Sequence, residues 1–213
     1  MLSSVRSMGL YGIESYAVTV ESDISNGLPA FELVGLPDAA VKESRDRVRS
    51  AIKNNGMTFP VRRIPINLAP ADLRKAGPLY DLPILLSILE ASGQIDHLPE
   101  DAAFIGELSL AGEIRPVTGA LAMAIGARDF GLQALYLPAQ NAPEAAVAQG
   151  IQISPVHHLT ELLEHLQGIR PLSPAEFTLR HTGPSLSEPD FSEVKGQQGA
   201  KRALEIAAAG YHN

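Results

Sequence analysis

The 213-residue sequence contains no cysteine and no tryptophan. The first absence excludes disulfides, zinc–thiolate centres and thiol nucleophiles, and it suits a reducing compartment. Aromatic residues of all kinds make up only 5% of the chain, which argues against an aromatic-stacking binder of single-stranded nucleic acid. No stretch approaches the roughly eighteen apolar residues of a membrane span. The opening MLSSVRSMGLYGIES has no continuous apolar segment, so it is not read as a signal peptide. A cytoplasmic protein without membrane contact is expected. The phosphate-cradling pattern G-x-x-x-x-G-K-[ST] is also missing.

What is present describes an ordinary globular protein, 45% hydrophobic and 19% charged. The length suits one large domain, or one medium domain and a piece of another. The net charge of −7 conceals an asymmetry. Nine of the 17 Lys and Arg lie between Lys42 and Lys75, opposed there only by Glu43, Asp46 and Asp72. That segment is strongly basic on an otherwise acidic chain. Lys42, Arg45, Arg49 and Lys53 are spaced to line one side of a helix, with Arg47 pointing elsewhere. Arg62, Arg63, Arg74 and Lys75 lie on or beside the next strand. Such a cluster can neutralise phosphates and release counterions, or it can be a solvated helix face.

Along the chain, LYGIESYAVTVESDI alternates as a half-buried strand, with Tyr16, Val18 and Val20 on one face. SNGLP reads as an Asn-Gly turn, with AFELVGLP as the returning strand of a hairpin. A helix follows over about 38–53, with Val41, Val48 and Ile52 on its apolar face, stopped by Asn54-Asn55-Gly56. VRRIPINLAP is a strand. RKAGPLYDLPILLSIL then packs a Gly-Pro corner, one acid and a solid apolar run. Asp81 is expected to cap a helix that is buried all round, with Pro83 tolerated in its first turn and Gly93 at its end.

AAFIGELSLAGEIRP reads as a strand hairpin. Next come a small-residue helix in TGALAMAIGARDFG, a strand in QALYLP, a helix in APEAAVAQG and a strand in IQISPV. A helix in LTELLEHLQG closes at Gly168. The pattern gives one mixed α/β domain over 1–168, a Pro/Ser/Thr-rich linker over 169–189, and a further amphipathic helix within 190–213. A tail that short cannot bury a core of its own, so the chain is expected to continue beyond Asn213. His158, Glu161 and His165 share a helix face without a fourth ligand, so no metal is assigned.

KAGPLYDLPI and FIGELSLAGEIRPVTGALAMAIGARDFGLQALYLP resemble the proteolytic domain of Lon-type peptidases, and more closely its non-proteolytic relatives in RadA-like recombination proteins and the ComM/YifB family. YGIESYAVTVESDISNGLPAFELVGLPDAAVKESRDRVRSAI resembles ComM/YifB specifically, a family of magnesium-chelatase-like AAA+ proteins. VKGQQGAKRALEIAAAGYHN resembles the opening of their ATPase module, before the phosphate loop. The resemblance implies a Lon-like βα fold with a left-handed βαβ crossover, followed by the first helix of an AAA+ domain. It also implies a parent protein that is a hexameric, ATP- and Mg2+-dependent DNA motor, acting by branch migration in recombination and natural transformation.

In Lon-type peptidases the corner reads Gly-Pro-Ser, with the Ser as nucleophile. Here Gly77 and Pro78 match, but the third position is Leu79, and the position of the partner Lys is Leu121. Two leucines supply neither an oxygen nucleophile nor a base, so no peptidase activity is expected. The nearest substitutes, Ser87 and Lys75, sit in settings unsuited to a dyad. The resemblance places Val194, Gly196 and Gln197 on the nucleotide side of the parent. It makes Glu107, Glu113 and Arg115 candidates for subunit contacts, where turn residues are the plainer reading. For the chain itself, assembly and positioning of the motor ring is the favoured expectation, with DNA contact through the Lys42–Lys75 face as an accessory; the alternative is a purely structural, oligomerisation or partner-binding domain without DNA contact. Branched or single-stranded DNA is the partner the resemblance implies for the parent.

Overall fold

The computed structural model of the protein describes residues 2–177 and 190–212. The chain divides into two compact units, residues 1–178 and 179–213. In the first, ten residues of β1 (Leu2–Tyr11) turn at Gly12-Ile13 into β2 (Glu14–Asp23). There follow β3 (Ala30–Val34), α1 (Ala39–Lys42), α2 (Ser44–Asn54), β4 (Arg63–Ala69) and α3 (Asp81–Ala91). The remainder is β5 (Ala102–Phe104), β6 (Glu107–Leu108), β7 (Ile114–Arg115), α4 (Ala120–Asp129), β8 (Ala134–Pro138), α5 (Ala142–Ala145), β9 (Gln152–Val156) and α6 (Leu159–Leu166). The second unit holds α7 (Gln198–Gly210).

Seven strands form one sheet in the order β3-β4-β2-β1-β5-β8-β9, and β6 and β7 make a separate hairpin. Pairing is antiparallel around β2 and parallel elsewhere, so the sheet is mixed but mostly parallel. Strand alternation sorts the two faces. Ser3 of β1 donates to Glu90 of α3, and Ser22 of β2 bonds Ser87 of α3 at 2.6 Å. On the opposite face Met8 and Ser15 lie against Gly126 of α4, where an added Cβ would fall 1.8 Å from the Ser15 hydroxyl oxygen. The sheet is therefore covered on both sides. Helix α3 is buried on every face, as its unbroken apolar run requires.

Two sequence expectations change here. The first strand begins at Leu2, eight residues before its expected start at Leu10, and the expected single strand is split by the Gly12-Ile13 turn. Ser3 and Ser7 hide the alternation, since both are buried and hydrogen-bonded, Ser7 to the Phe104 carbonyl at 2.9 Å. The expected hairpin between β2 and β3 does not form. β4 inserts between them, antiparallel to β2 and parallel to β3, so SNGLP carries the chain across a strand rather than reversing it.

The domain boundary also shifts. Beyond Gly168, the Leu172 amide donates to His165 Nδ1 at 2.9 Å, the Ala175 amide donates to the Ile153 carbonyl at 2.8 Å, and both side chains pack on the core. The linker expected from 169 thus contains residues that belong to the first unit. Residues 178–189 of it lie outside the described residues. Among the described residues no helix is long and apolar enough to cross a membrane.

Candidate nucleic-acid face and a closed catalytic corner

The Gly-Pro corner survives as architecture. Gly77 takes φ +83°, a left-handed value that a β-carbon disfavours, and Pro78 opens a single 3-10 turn that runs into α3. The Gly77 amide donates to Asp38 Oδ2 at 3.1 Å, while Asp38 Oδ1 caps α1 by accepting from Val41 N at 2.9 Å. One carboxylate thus ties a helix start to the corner and occupies the amide that the turn would otherwise expose. Leu79 is buried in the core, its carbonyl accepting from the Gly106 amide at 2.9 Å. Leu121 is partly buried against the same core.

Ser87 and Lys75 are not a displaced dyad, because each has other partners. The Ser87 hydroxyl bonds the Ile84 carbonyl at 2.8 Å and the Ser22 hydroxyl. The Lys75 ammonium donates to the carbonyls of Pro70 and Leu73.

Asp81 departs from its expected role as a cap. It lies inside the first turn of α3, fully buried, and grips Arg47 of α2 through both oxygens, at 2.6 Å to Nε and 3.0 Å to Nη2. It also accepts from the Leu108 amide at 3.1 Å. Burial pushes the Asp81 carboxyl above the usual carboxylate range, with Arg47 and the Leu108 amide opposing that shift. The hydrogen bond to Asp81 holds the Arg47 guanidinium above its ordinary value. This pair clamps α2, α3 and the β6–β7 hairpin together at the corner.

The basic cluster divides on folding. Lys42, Arg45, Arg49 and Lys53 are exposed along α1 and α2. Arg45 and Arg49 line a cleft of about 240 Å³ with Arg62, Phe31, Phe59, Pro60 and Val61. The two phenylalanine rings stack at 6.4 Å between centroids, and the Arg49 guanidinium sits 5.7 Å over Phe59. Arg63 is paired with Glu32 at 3.0 Å. Arg74 is exposed beyond the far end of β4, roughly 20 Å of strand away from Arg62.

Lys75 must be removed from the candidate DNA contacts. Its side chain is shut off from solvent, and its charge is spent on two backbone carbonyls; burial lowers its pKa, with Asp72 opposing. Phe31 and Phe59 are the residues that sequence reasoning missed. The one available signal was the adjacency of Phe59, Val61, Arg62 and Arg63.

Of the remaining candidates, Glu107 and Arg115 face each other across the β6–β7 hairpin at 3.4 Å, while Glu113 holds the turn through backbone bonds to Ser109. His158, Glu161 and His165 each have a local task. His158 Nδ1 accepts from the Thr160 amide to cap α6, Glu161 accepts from the His157 amide, and His165 bonds Tyr136 and Leu172. In the second unit Val194 is exposed, and Gly196 (φ +73°) and Gln197 (φ +56°) form the turn that starts α7.

The family model described as subunit ChlI of Mg-chelatase matches residues 20–141, and a second, described as magnesium chelatase, subunit ChlI, matches residues 190–213. The competence protein ComM of Haemophilus influenzae is 42% identical over 217 residues, which cover 100% of this chain and 42% of that protein. The uncharacterized protein YifB of Escherichia coli is 40% identical, with 100% of this chain and 42% of that protein covered. Lon protease 2 of Thermus thermophilus is 26% identical over 157 residues, 68% of this chain and 19% of that protein. The chain spans about two fifths of the length of ComM and YifB. It belongs to the Mg-chelatase subunit ChlI family, together with ComM and YifB, and it carries a mixed α/β, Lon-like fold.

Proposed function

We propose that the chain is a non-proteolytic module that positions DNA for an ATP-driven motor. One observation carries this reading: Arg45, Arg49 and Arg62 converge on an open cleft, flanked along the same helical run by Lys42 and Lys53. The corner where a peptidase would keep its nucleophile holds Leu79 instead. Cationic side chains on an exposed face supply affinity for a phosphate backbone irrespective of sequence. The likeness to ComM, a competence protein by name, supports a role in DNA uptake or recombination. Branch migration by a hexameric ring is the finer role proposed for the whole protein. ATP and Mg2+ are its proposed cofactors, with Val194, Gly196 and Gln197 on the nucleotide side.

The test is fluorescence anisotropy of the 213-residue chain with single-stranded, duplex and four-way-junction DNA across a salt series. Affinity should fall steeply with salt, by a log–log slope of about 0.7–0.9 for each phosphate neutralised, and vanish in Arg45→Glu/Arg49→Glu. Absence of binding to every DNA form at low salt refutes the reading. A second reading, ring assembly, draws support from Tyr11 and Ile13, apolar residues 75% and 92% exposed at the β1–β2 turn. Sedimentation of Tyr11→Ser/Ile13→Ser against the unaltered chain tests it, since loss of a self-associated species would place a subunit contact there.

A further inference from the structure

We infer that the cleft between β3, α2 and the Phe59–Arg62 segment holds one unpaired base with its phosphate, so that the domain prefers single-stranded DNA to duplex. The inference rests on the DNA-contact reading and adds the form of DNA that is held. The cleft has two chemically distinct parts. Phe31 and Phe59, with Pro29, Pro60 and Val61, supply apolar lining; Arg45, Arg49 and Arg62 supply positive charge. Phosphate alone would need only the arginines.

The apolar half requires a flat, uncharged partner. A base in a duplex has both faces covered by its neighbours, whereas an unpaired base presents a face to an aromatic ring. At about 240 Å³ the cleft is smaller than the roughly 300–1,000 Å³ of pockets that enclose drug-sized ligands, which fits a single ring system. Val61, 76% exposed on its edge, leaves an apolar surface for a base to cover.

Charge points the same way. Arg45 shares its charge with exposed Asp46 at 3.2 Å. Among the described residues no carboxylate forms an ion pair with Arg49 or Arg62. Those two guanidiniums are therefore open to an anion. Pro60 and Arg62 also line a second, open depression of about 500 Å³, together with Ile24, Thr58, Ser92 and Gln94. A base held against the Phe31–Phe59 pair and the Arg49 guanidinium that lies over Phe59 can leave its sugar–phosphate chain beside Arg62. The low aromatic content of the chain is no obstacle, because the site needs two rings and has them.

The experiment measures anisotropy of the 213-residue chain with a fluorescent oligothymidylate and with a duplex of equal length. The unaltered chain should bind the oligothymidylate about tenfold more tightly. Phe59→Leu, which keeps an apolar side chain but removes the ring, should lose about tenfold on the single strand, the scale of one stacked base, and leave duplex binding unchanged. Phe59→Tyr should restore the preference.

The sequence has no tryptophan, so Phe59→Trp places the sole indole in the cleft. Its emission should be quenched by the oligothymidylate and not by the duplex, a readout that does not depend on small changes in stability. Equal affinity for both DNA forms, unaffected by Phe59→Leu and with no quenching, overturns the stacked-base inference. If Arg45→Glu/Arg49→Glu still abolishes binding in that case, the broader DNA reading stands. If no DNA binds at all, both fall.

Discussion

Helix α2 sends three arginines, two residues apart, into two different regions. Arg47 turns inward to Asp81 and becomes part of a buried joint at the Gly-Pro corner. Arg45 and Arg49 turn outward and line an open cleft. Residues two apart on a helix project about 200° apart, so Arg47 cannot share the face of Arg45 and Arg49. At the corner a charge is neutralised and hydrogen-bonded, and its work is to hold elements together. At the cleft charges stay in water, where they add little to folding and remain available to a ligand. The region that resembles a catalytic site is the closed one, and the region with capacity for binding lies beside it.

The contrast can be broken most forcefully at the corner. Arg47→Ala leaves the Asp81 carboxylate buried with its main partner gone, and should cost about 3–5 kcal/mol in urea unfolding. Arg47→Met/Asp81→Leu, which removes both charges, should be less damaging than the single change. If Arg47→Ala is nearly neutral, the corner is not the joint described.

Leu79→Ser/Leu121→Lys restores the residue types of a Ser–Lys dyad. It should yield no peptide hydrolysis and should lower stability, with Leu79→Ser alone costing about 2–4 kcal/mol from lost core packing. Turnover of a fluorogenic peptide by that variant would show that the corner is still competent.

The outward arginines should behave oppositely. Arg45→Ala should change stability by less than about 0.5 kcal/mol, and Arg49→Ala by about 0.5–1 kcal/mol through its contact with Phe59. A thermal-melting series on both variants checks this, and a cost matching that of Arg47→Ala would erase the distinction.

The smallest effect concerns His97. Its ring lies 2.5 Å from buried Glu90, whose hydrogen bond raises the His97 pKa. A raised folded-state pKa stabilises the fold below the ordinary histidine value of about 6.5, and that stabilisation is lost as pH rises through the folded value. His97→Gln should therefore flatten the decline in melting temperature as pH rises above about 6.5. An unchanged pH profile would show that the pair contributes nothing to folding.

Much of the fold was legible where local chemistry is one-sided. The apolar run from Leu82 to Leu89 specifies a helix with no exposed face, and Asn54-Asn55-Gly56 stops α2 where expected. Other features were not legible because they depend on a partner distant in sequence. Ser3 and Ser7 read as polar, yet they are core residues through Glu90 and the Phe104 carbonyl. Asp81 has the position of a cap, and its role was set by Arg47, 34 residues earlier. Lys75 carries the composition of a DNA-contact residue and lies buried against backbone carbonyls.

By itself, the sequence determined most of the alternation of helices and strands, the family, the apolar character of Leu79 and Leu121, and the concentration of positive charge between Lys42 and Lys75. Those properties follow from side-chain chemistry and near-neighbour spacing. Only the tertiary structure decided that β4 inserts between β2 and β3, that one arginine of α2 is consumed by a buried carboxylate, and that Phe31 meets Phe59 beneath the others. Each of those outcomes joins residues about 30 or more positions apart, and local spacing carries no information about which distant groups the close-packed interior will bring into contact.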